Sequence, residues 1–275
     1  DPANKNFNTA NIPKVVGASS ENALTIACKM YETSINETVP VSDCKTAEAV
    51  KLTENIFRSV NIALVNELKV VYEAMGIDVH EVLDAADTKP FGFMKFTPGP
   101  GLGGHCIPID PFYLTWKARE YDKHTRFIEL AGEINTSMPY YVIEKTTEAL
   151  NKHKKSVNGS KILVIGLAYK PDVDDMRESP TFKILDLLKD KGADVSYFDT
   201  NIPTIPKSRE HEEWTGINSV KWNEETISSY DAVVISTNHS DINYKELGNW
   251  NNCIIDARNA MKDYSTVKQN HIFKA

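Results

Sequence analysis

Residues 161–180 read KILVIGLAYKPDVDDMRESP, a short apolar run followed by a charged loop and a Ser-Pro pair. The run at 161–166 is apolar after its first residue, which is typical of a parallel strand buried on both faces. Ser179 and Pro180 suit the N-cap and first position of a helix, which Gly192 ends. Similar apolar runs follow at 195–199, 230–236 and 252–256. The pattern therefore predicts an α/β region in which strands and helices alternate in a doubly wound parallel sheet.

Residues 13–17 predict a short strand and 21–31 a helix, and the region 43–155 has mainly helical periodicity. In its longest segment, apolar residues recur every seven positions, at Val50, Phe57, Leu64 and Val71. Ser42 or Asp43 can cap the start of this helix, and Gly76 can end it. About 30 residues at a rise of 1.5 Å make a rod on the order of 45 Å long, which we expect to span two domains or to form a subunit interface. Further helices are predicted at 79–86, 111–121 and 126–152, before a turn-rich linker at 156–160.

Charge and composition exclude several classes of protein. The 275 residues carry 31 Lys and Arg against 38 Asp and Glu, a net charge of −7, and 41% of them are hydrophobic. An acidic chain without a local basic stripe is not expected to bind nucleic acid. The longest apolar stretch, 162–169, is far shorter than the ~20 residues of a membrane span. We therefore predict a folded protein without a nucleic-acid or membrane partner.

The four cysteines lie far apart and form no CxxC pair: Cys28, Cys44, Cys106 and Cys253. This spacing predicts neither a disulfide framework nor a zinc site, and it fits a reducing cytoplasm. We interpret all of them except Cys106 as buried, inert packing residues. The chain also begins at Asp1 without a Met or a signal-peptide pattern, so we expect that processing or truncation has removed a preceding segment.

Residues 98–111, PGPGLGGHCIPIDP, form the most unusual stretch of the chain. Its glycines match GxGxxG, but a dinucleotide fingerprint follows a strand, and residues 93–98 have no strand pattern. Two interpretations remain: a structural turn, or a loop whose uncovered N–H groups approach a ligand. Cys106, with Asp110 four residues later, favours the second, because a thiolate is the strongest side-chain nucleophile and N–H dipoles increase its population.

Lys51 and Asn55 lie four residues apart in the long helix and so share one face. A lysine is ordinary on a solvated helix face, but an asparagine on a helix with an apolar pattern needs hydrogen-bond partners. A Lys-Asn pair that faces a cysteine loop can hold an oxyanion. Spacing alone leaves both the solvated and the catalytic interpretation open.

The loop at 166–180, after the first strand of the C-terminal region, carries candidate binding residues. Ligands of doubly wound sheets bind beyond the carboxyl ends of the strands. Lys170 and Arg177 lie there, just before a helix N-terminus that favours a phosphate group. The loop has a single Gly, so it lacks the NAD fingerprint and favours a mononucleotide diphosphate, with a solvated charged loop as the alternative.

These stretches resemble motifs of the UDP-glucose/GDP-mannose dehydrogenase family. GPGLGGHCIPIDP at 99–111 is similar to the catalytic-cysteine loop, AVKLTEN at 49–55 to the central-helix lysine and asparagine motif, and GLAYKPDVDDMRESP at 166–180 to the start of the C-terminal nucleotide-binding domain. TKPFGFM at 88–94 and VDDMR at 173–177 are similar to the branch that acts on UDP-N-acetylhexosamines, chiefly UDP-N-acetylglucosamine.

The resemblance implies two Rossmann-like domains joined by a long helix, which also forms the core of a homodimer or a larger homo-oligomer. It implies a nucleotide-sugar 6-dehydrogenase that oxidises a UDP-sugar with two NAD⁺ to the uronic acid, for surface polysaccharide or glycan synthesis. Cys106 would attack the aldehyde-level intermediate, and water would hydrolyse the thioester that forms after hydride transfer. Lys51 and Asn55 would hold the oxyanion, and Asp110 would position water or the lysine.

The resemblance also implies binding roles for five further residues. Leu102 and Gly103 would offer backbone groups to the nucleotide sugar. Lys170 would contact its phosphate or sugar, and Arg258 would contact the substrate as well. Arg177 would contact the NAD, and no metal is implied.

The resemblance divides the chain into three parts. Residues 1–35 would be the C-terminal remnant of an NAD-binding domain, 36–156 a central helical dimerisation domain with the catalytic loop, and 157–275 a UDP-sugar-binding domain. The family's N-terminal domain, with its glycine fingerprint and a catalytic glutamate, has no counterpart in the 275 residues. We therefore expect the fragment alone to be inactive, and the alternative hypothesis is a non-catalytic, dimerising UDP-sugar-binding module.

Overall fold

The computed structural model describes residues 6–208, 210–264 and 271–275. The α-helices in these ranges are α1 (Glu21–Tyr31), α2 (Cys44–Ala74), α3 (Val79–Asp87), α4 (Asp110–Arg119), α5 (Arg126–Lys152), α6 (Pro180–Asp190), α7 (Glu224–Ser228) and α8 (Tyr244–Trp250). The strands are β1 (Lys14–Val16), β2 (Thr38–Pro40), β3 (Lys161–Ile165), β4 (Asp194–Phe198), β5 (Ala232–Ile235), β6 (Ile254–Asp256) and β7 (Ile272–Lys274). The element order confirms the predicted α/β class. Among these residues, no helix combines the length and the apolar character that crossing a membrane requires.

The N-terminal segment forms a small β-α-β unit. β1 and β2 pair in parallel, with Val15 opposite Val39, and α1 connects them. Ser20 caps α1 by accepting a hydrogen bond from the N–H of Ala23, and no residue of α1 is buried. The strand and the helix predicted for this segment are both present.

The long helix α2 begins and ends where its cap residues predict. The Asp43 carboxylate accepts a hydrogen bond of 2.7 Å from the N–H of Thr46, and Gly76 follows the helix with a φ of +73°. Only a residue that tolerates the left-handed region ends a helix in this way without strain. The 31 residues of α2 pack mainly along α5, with α3 and α4 at its sides.

The seven-residue apolar row of α2 faces away from α5. Phe57, Leu64 and Val71 are 46%, 50% and 47% exposed. The buried row is largely polar instead: Asn55, Ser59, Ala63, Val65, Asn66 and Lys69. Because buried polar groups need hydrogen-bond partners, this face of α2 takes part in a hydrogen-bond network as well as in packing.

The C-terminal region forms a five-stranded sheet in the order β4-β3-β5-β6-β7, and all neighbouring strands are parallel. β5 and β6 are buried along their whole length and β3 after its first residue, as their continuous apolar runs predict. β7 is a strand that the sequence pattern does not predict, because three residues are too few to show a periodicity.

Helices cover both faces of this sheet. On one face, Phe182 and Leu185 of α6 share a buried cluster with Val142 of α5. On the other face, Ile227 before β5 and Leu247 of α8 share a second cluster. α5 contacts α2, α6 and β6, so it joins the helical region to the sheet. The candidate site lies at this junction.

The structure confirms the packing interpretation for one cysteine and contradicts it for another. Cys253 is 2% exposed, and burial raises the pKa of its thiol to about 11. Cys28 is half-buried, whereas Cys44 is exposed, with its Sγ 3.6 Å from the carbonyl of Gly17. The prediction of burial is wrong for Cys44, because the small N-terminal unit beside the first turn of α2 is too short to cover it.

Candidate active site

Asn55 is the centre of the polar face of α2. Its side chain is buried, and its Nδ2 donates a hydrogen bond of 2.6 Å to Oδ2 of Asp110. Its Oδ1 accepts hydrogen bonds from Arg58 Nη1 at 3.0 Å and from Lys51 Nζ at 3.4 Å. Two cations on the amide oxygen fix which way the amide points, so its N–H groups face Asp110. The structure therefore brings Lys51, Asn55 and Asp110 into one connected group.

Cys106 lies one turn before Asp110 at the start of α4. The carbonyl of Cys106 accepts hydrogen bonds from the N–H groups of Ile109 at 3.1 Å and Asp110 at 2.8 Å. The Cys106 thiol is free and half-buried. The cysteine and the carboxylate thus belong to one rigid turn, and Asn55 ties that turn to α2.

The glycine loop, residues 99–104, packs against the C-terminal sheet domain. A Cβ on Gly103 would lie 2.6 Å from the Cβ of Tyr169, and a Cβ on Gly104 would lie 2.9 Å from the Tyr169 ring. Gly104 also has a φ of +90° and donates its N–H to the carbonyl of Arg177 at 3.0 Å. The absence of side chains here therefore permits a close approach between two parts of the protein.

A buried amide network holds the same loop to the helices. The N–H of Gly99 donates to Oδ1 of Asn66 at 2.9 Å, and Asn66 Nδ2 donates to Asn135 Oδ1 at 3.0 Å. Asn135 Nδ2 in turn donates to the carbonyl of Ser59 at 3.1 Å. The N–H groups of Gly99 and Gly104 are therefore taken by protein acceptors, which corrects the expectation that the loop leaves them uncovered for a ligand.

Arg258 lies where the glycine loop meets the carboxyl ends of the strands. Its Nε donates to the carbonyl of Ser236 at 2.8 Å, and a Cβ on Gly99 would lie 2.4 Å from its Nη1. Burial lowers the pKa of the guanidinium to about 10, and the nearby Asp256 carboxylate opposes this shift. The group remains cationic at neutral pH and faces the loop that precedes Cys106.

Arg177 and Lys170 follow β3 in the loop at the edge of the sheet. The Arg177 guanidinium forms a two-pronged ion pair with Asp175, with Nη2 2.7 Å from Oδ2, and this pair lowers the pKa of Asp175. Lys170 Nζ lies 5.7 Å from the centre of the Tyr169 ring. Because that ring packs on Gly104, Lys170 lies close to the glycine loop.

A cavity of about 400 Å³ opens beside the glycine loop. Gly101 and Leu102 line it on one side, and Ser179 and Pro180 at the start of α6 line it on another. Ser179 accepts a hydrogen bond from the N–H of Thr181, as an N-cap residue does. The helix start that the sequence predicts as a phosphate seat is buried, since Ser179, Pro180 and Thr181 are all covered.

Comparison with known proteins accounts for both halves of this arrangement. Residues 45–137 match the central domain of the UDP-glucose/GDP-mannose dehydrogenase family, and residues 163–263 match its UDP binding domain. The chain belongs to the UDP-glucose/GDP-mannose dehydrogenase family. The central-domain match contains Lys51, Asn55, Cys106 and Asp110. This family comprises nucleotide-sugar dehydrogenases, a class of oxidoreductase.

Individual members of the family share sequence and fold with this chain. A UDP-N-acetyl-D-mannosamine dehydrogenase of Methanocaldococcus jannaschii is 41% identical over 187 residues, 68% of this chain and 41% of that protein. A UDP-N-acetyl-D-glucosamine 6-dehydrogenase of Pseudomonas aeruginosa is 33% identical over 249 residues, 90% of this chain and 57% of that protein. The solved UDP-D-ManNAc dehydrogenase of Pyrococcus horikoshii matches with a TM-score of 0.79 and 32% identity, over 92% of this chain and 57% of that one. The chain thus spans about half the length of these relatives.

The UDP binding domain resembles a dinucleotide-binding domain, but protein hydrogen bonds already occupy the acidic residue at its ribose-binding position. Asp199 follows β4, the position from which an acidic residue binds ribose in dinucleotide-binding folds. Here its Oδ2 accepts hydrogen bonds from the N–H groups of Leu167 at 2.6 Å and Ala168 at 3.0 Å. Its Oδ1 accepts from the N–H groups of Asn201 and Ile202. At 2% exposure, Asp199 holds the protein's own loops instead of a ribose.

One group of potential metal ligands occurs among the described residues. Ligand atoms of Asp186, His211 and Glu213 lie within 4.8 Å of one another. Protein contacts already explain two members, since Asp186 accepts a hydrogen bond from Trp214 and the His211 ring stacks on Phe182. The group lies on α6 and the chain that follows β4, and it shares no residue with the face formed by Lys51, Asn55 and Asp110.

The predicted site residues form two sets that meet at the glycine loop. Hydrogen bonds through Asn55 connect Lys51 and Asp110, and Asp110 follows Cys106 in one turn. The second set consists of Leu102 and Gly103 in the loop itself, with Lys170, Arg177 and Arg258 on its sheet side.

Sequence reasoning missed four residues of the site: Arg58, Asn66, Asn135 and Tyr169. The signal that singles out Asn55, an amide on a helix with an apolar pattern, applies equally to Asn66 and Asn135. Arg58 lies one turn after Asn55, so helix geometry places it on the same face.

Proposed function

We propose that the protein containing this chain is a cytoplasmic, NAD-dependent UDP-N-acetylhexosamine 6-dehydrogenase that makes the uronic acid for surface polysaccharide or glycan synthesis. The observation that supports it best is the connected group of Lys51, Asn55 and Asp110 beside the free thiol of Cys106. The family match supports the nucleotide sugar, and relatives named for N-acetylated sugars support the hexosamine. UDP-N-acetylglucosamine is the proposed substrate, and UDP-N-acetylmannosamine is the competitor that an assay must include.

The proposed chemistry converts the C6 alcohol to the acid through an aldehyde. The thiolate of Cys106 adds to the aldehyde carbon, which forms a C–S bond and leaves a negative charge on the oxygen. Lys51 Nζ donates to Asn55 and lies 3.9 Å from Oε2 of Glu54, and with three N–H groups it can also donate to this oxygen. Asn55 has one further N–H beyond its bond to Asp110. These donors stabilise charge that develops only after the sulfur adds.

The adduct becomes a thioester only when its carbon gives up a hydride, and hydrolysis of that thioester needs a water molecule next to the Cys106 turn. Asp110 accepts from Asn55 through Oδ2, and its Oδ1 can accept a proton or a hydrogen bond from that water. Attack of the water on the thioester carbon breaks the C–S bond and returns the thiol, so Cys106 is ready for another cycle. Asn55 thus links the group that stabilises the oxyanion to the group that orients the water.

NAD⁺, when bound, supplies the acceptor for the two hydrides. In the described residues, the contact that fits it is the guanidinium of Arg177, which Asp175 holds at the edge of the sheet. Asp199 cannot take the ribose, because its oxygens accept from protein donors. We therefore assign the main NAD site to a part of the protein outside the described residues.

The nucleotide sugar is assigned to the glycine loop and the adjoining sheet edge. Arg258 remains cationic beside Gly99, and Lys170 lies beside Tyr169, so two cations flank the loop that leads to Cys106. Cations in this arrangement suit a diphosphate. Leu102 and Gly103 provide the backbone between them. Binding here directs the sugar end of the substrate toward the cysteine.

The experiment compares variants of the full-length protein supplied with UDP-N-acetylglucosamine or UDP-N-acetylmannosamine and NAD⁺. Cys106→Ala is expected to abolish acid formation with UDP-sugar binding retained, and Lys51→Ala to slow turnover by roughly 10²-fold. Cys253→Ala is the matched control, because that thiol is buried in the sheet core, and turnover should stay within a few-fold. Product mass and NADH release are measured. Acid formation by Cys106→Ala at the wild-type rate would refute the thioester route.

A second candidate function is a dimerising, non-catalytic UDP-sugar-binding module formed by the chain alone. It is supported by the filled Asp199 position and by the exposed apolar row of α2. Calorimetry of the 275-residue chain measures whether it binds UDP, NAD⁺ or both. Binding of UDP with little binding of NAD⁺ is expected for the chain alone, whereas tight NAD⁺ binding without UDP would reverse the assignment of the sheet domain.

A further inference from the structure

His239 is buried at the carboxyl ends of three neighbouring strands. It follows β5, and its side chain is 0% exposed. Its Nε2 lies 3.0 Å from Oδ2 of Asp199, the residue that follows β4. Asp199 also accepts from the N–H groups of Leu167 and Ala168, which follow β3. One carboxylate and one imidazole therefore tie together the loops after β3, β4 and β5.

The hydrogen bonds fix the tautomer of His239. The N–H of Asp172 donates to its Nδ1 at 3.0 Å, and Nδ2 of Asn201 lies at the same distance. Both partners are donors, so Nδ1 carries no proton and accepts. The proton is on Nε2, which donates to Asp199. The neutral ring thus acts as a two-ended spacer between a carboxylate and a backbone amide.

This spacer holds both ends of the loop 167–172. Asp199 fixes the first end through two N–H groups, and His239 fixes the last end through Asp172. Asp172 has a φ of +61°, a conformation that is unfavourable for most residues with a side chain and that needs support from its surroundings. The Asp172 side chain holds this end as well, because its Oδ1 accepts a hydrogen bond of 2.8 Å from the N–H of Ser240.

The loop carries the side chains that face the glycine loop. The Cβ of Tyr169 packs on Gly103 and its ring on Gly104, and Lys170 lies over that ring. His239 is fully buried, so any effect on a ligand passes through the loop. We propose that His239, oriented by Asp199, is a positioning residue that fixes the loop 167–172 and thereby sets Tyr169 and Lys170 for the nucleotide diphosphate. This inference rests on the proposed function, which assigns the nucleotide sugar to that edge.

Two substitutions test the hydrogen bonds of the two ring nitrogens of His239 separately. In His239→Asn the amide oxygen lies near the place of Nδ1, so it can still accept from Asp172 but no longer reaches Asp199. In His239→Gln the amide nitrogen reaches the place of Nε2, so it can still donate to Asp199 but leaves Asp172 without an acceptor. His239→Asn loses the hydrogen bond to Asp199, whereas His239→Gln loses those from Asp172 and Asn201, so the stability of each variant is measured beside its UDP affinity. His124→Gln, at an exposed site, is the control.

The test measures the UDP dissociation constant of the 275-residue chain by calorimetry, with the thermal midpoint of each variant alongside. His239→Gln is expected to weaken UDP binding by roughly five- to ten-fold, the cost of losing the hydrogen bond that holds Asp172, and His239→Asn by no more than about two-fold. Equal UDP affinity in both variants and the wild type, with both midpoints lowered, would reduce His239 to a purely structural residue and overturn the inference. Absence of UDP binding in the wild type would instead overturn the proposed function on which it rests.

A measurement on the wild-type chain avoids any loss of folding in the variants. Amide hydrogen exchange at Asp172 should be slow without ligand, because its N–H is bonded to a buried ring, and slower still with UDP bound. Rapid exchange at Asp172, as in an open loop, would contradict the positioning role.

Discussion

Replacing Gly103 by Ala tests the close contact on which the site depends. The new Cβ would lie 2.6 Å from the Cβ of Tyr169, 2.9 Å from the carbonyl oxygen of Glu178 and 3.2 Å from Cδ of Pro180. Carbon atoms in contact are normally 3.5–4.0 Å apart, so about 1 Å must open on the Tyr169 side. The three neighbours are a Cβ, a backbone carbonyl and a proline ring, and none of them moves aside when a side chain rotates.

The cost follows from the size of that displacement. Inserting a methyl group into a closely packed contact destabilises a protein by roughly 1–3 kcal/mol. In a protein of this size, each kcal/mol lowers the thermal midpoint by about 2–4 °C. The effect on turnover should be larger than the effect on stability, because the loop leads into the Cys106 turn. A displacement of about 1 Å at reacting groups costs on the order of 10²-fold in rate.

The assay pairs thermal unfolding of the chain with NADH release by the full-length enzyme. Gly248→Ala in α8 is the matched control, since its nearest neighbour is the flexible end of Met261 at 3.2 Å. Alanine at that helical position should leave stability unchanged or raise it by up to about 1 kcal/mol. If Gly103→Ala behaves like Gly248→Ala in both measurements, the close contact between the glycine loop and the sheet domain is not as described.

Two further predictions concern stability and assembly. Burial, reinforced by Lys69, lowers the pKa of His80 from 6.5 to about 4, so below pH 6.5 the unfolded chain binds a proton that the folded chain does not. The free energy of unfolding should therefore fall as the pH drops from 6.5 to 4, by roughly 3 kcal/mol from this group, and urea titrations of His80→Leu should show a shallower fall. The exposed row of α2 should form a homodimer interface, so Leu64→Glu is expected to convert a dimer into a monomer in sedimentation experiments at micromolar concentration. A wild-type monomer at that concentration would exclude the interface.

Much of the fold could be predicted because its signals are local. The carboxylate of Asp43 caps a helix through an N–H three residues away, and Gly76 ends it through its own backbone conformation. The apolar run of β3 indicates burial on both faces without knowledge of its neighbours. The pairing of Lys51 with Asn55 likewise depends on a separation of one helical turn. Signals of this kind are contained in a few consecutive residues.

Contacts between distant residues needed the folded chain. Asn55 and Asp110 are 55 residues apart, and the step from Gly99 through Asn66 to Asn135 joins three separate segments. Composition shows that buried amides need partners, but many combinations of partners satisfy that need. The packing of α2 on α4 and α5 selects these.

In the glycine loop, one part of the structure could be predicted from local sequence and the other part needed the folded chain. Its composition indicates that a backbone approaches something closely, and both a ligand and another part of the protein satisfy that pattern. The structure places Tyr169 against Gly103 and Gly104, and it places protein acceptors on the N–H groups of Gly99 and Gly104. The amino-acid sequence specifies which chemical groups are available near Cys106. Which groups occupy the space around it depends on how the helices and the sheet pack, because the energy of a close contact exists only once both surfaces are in place.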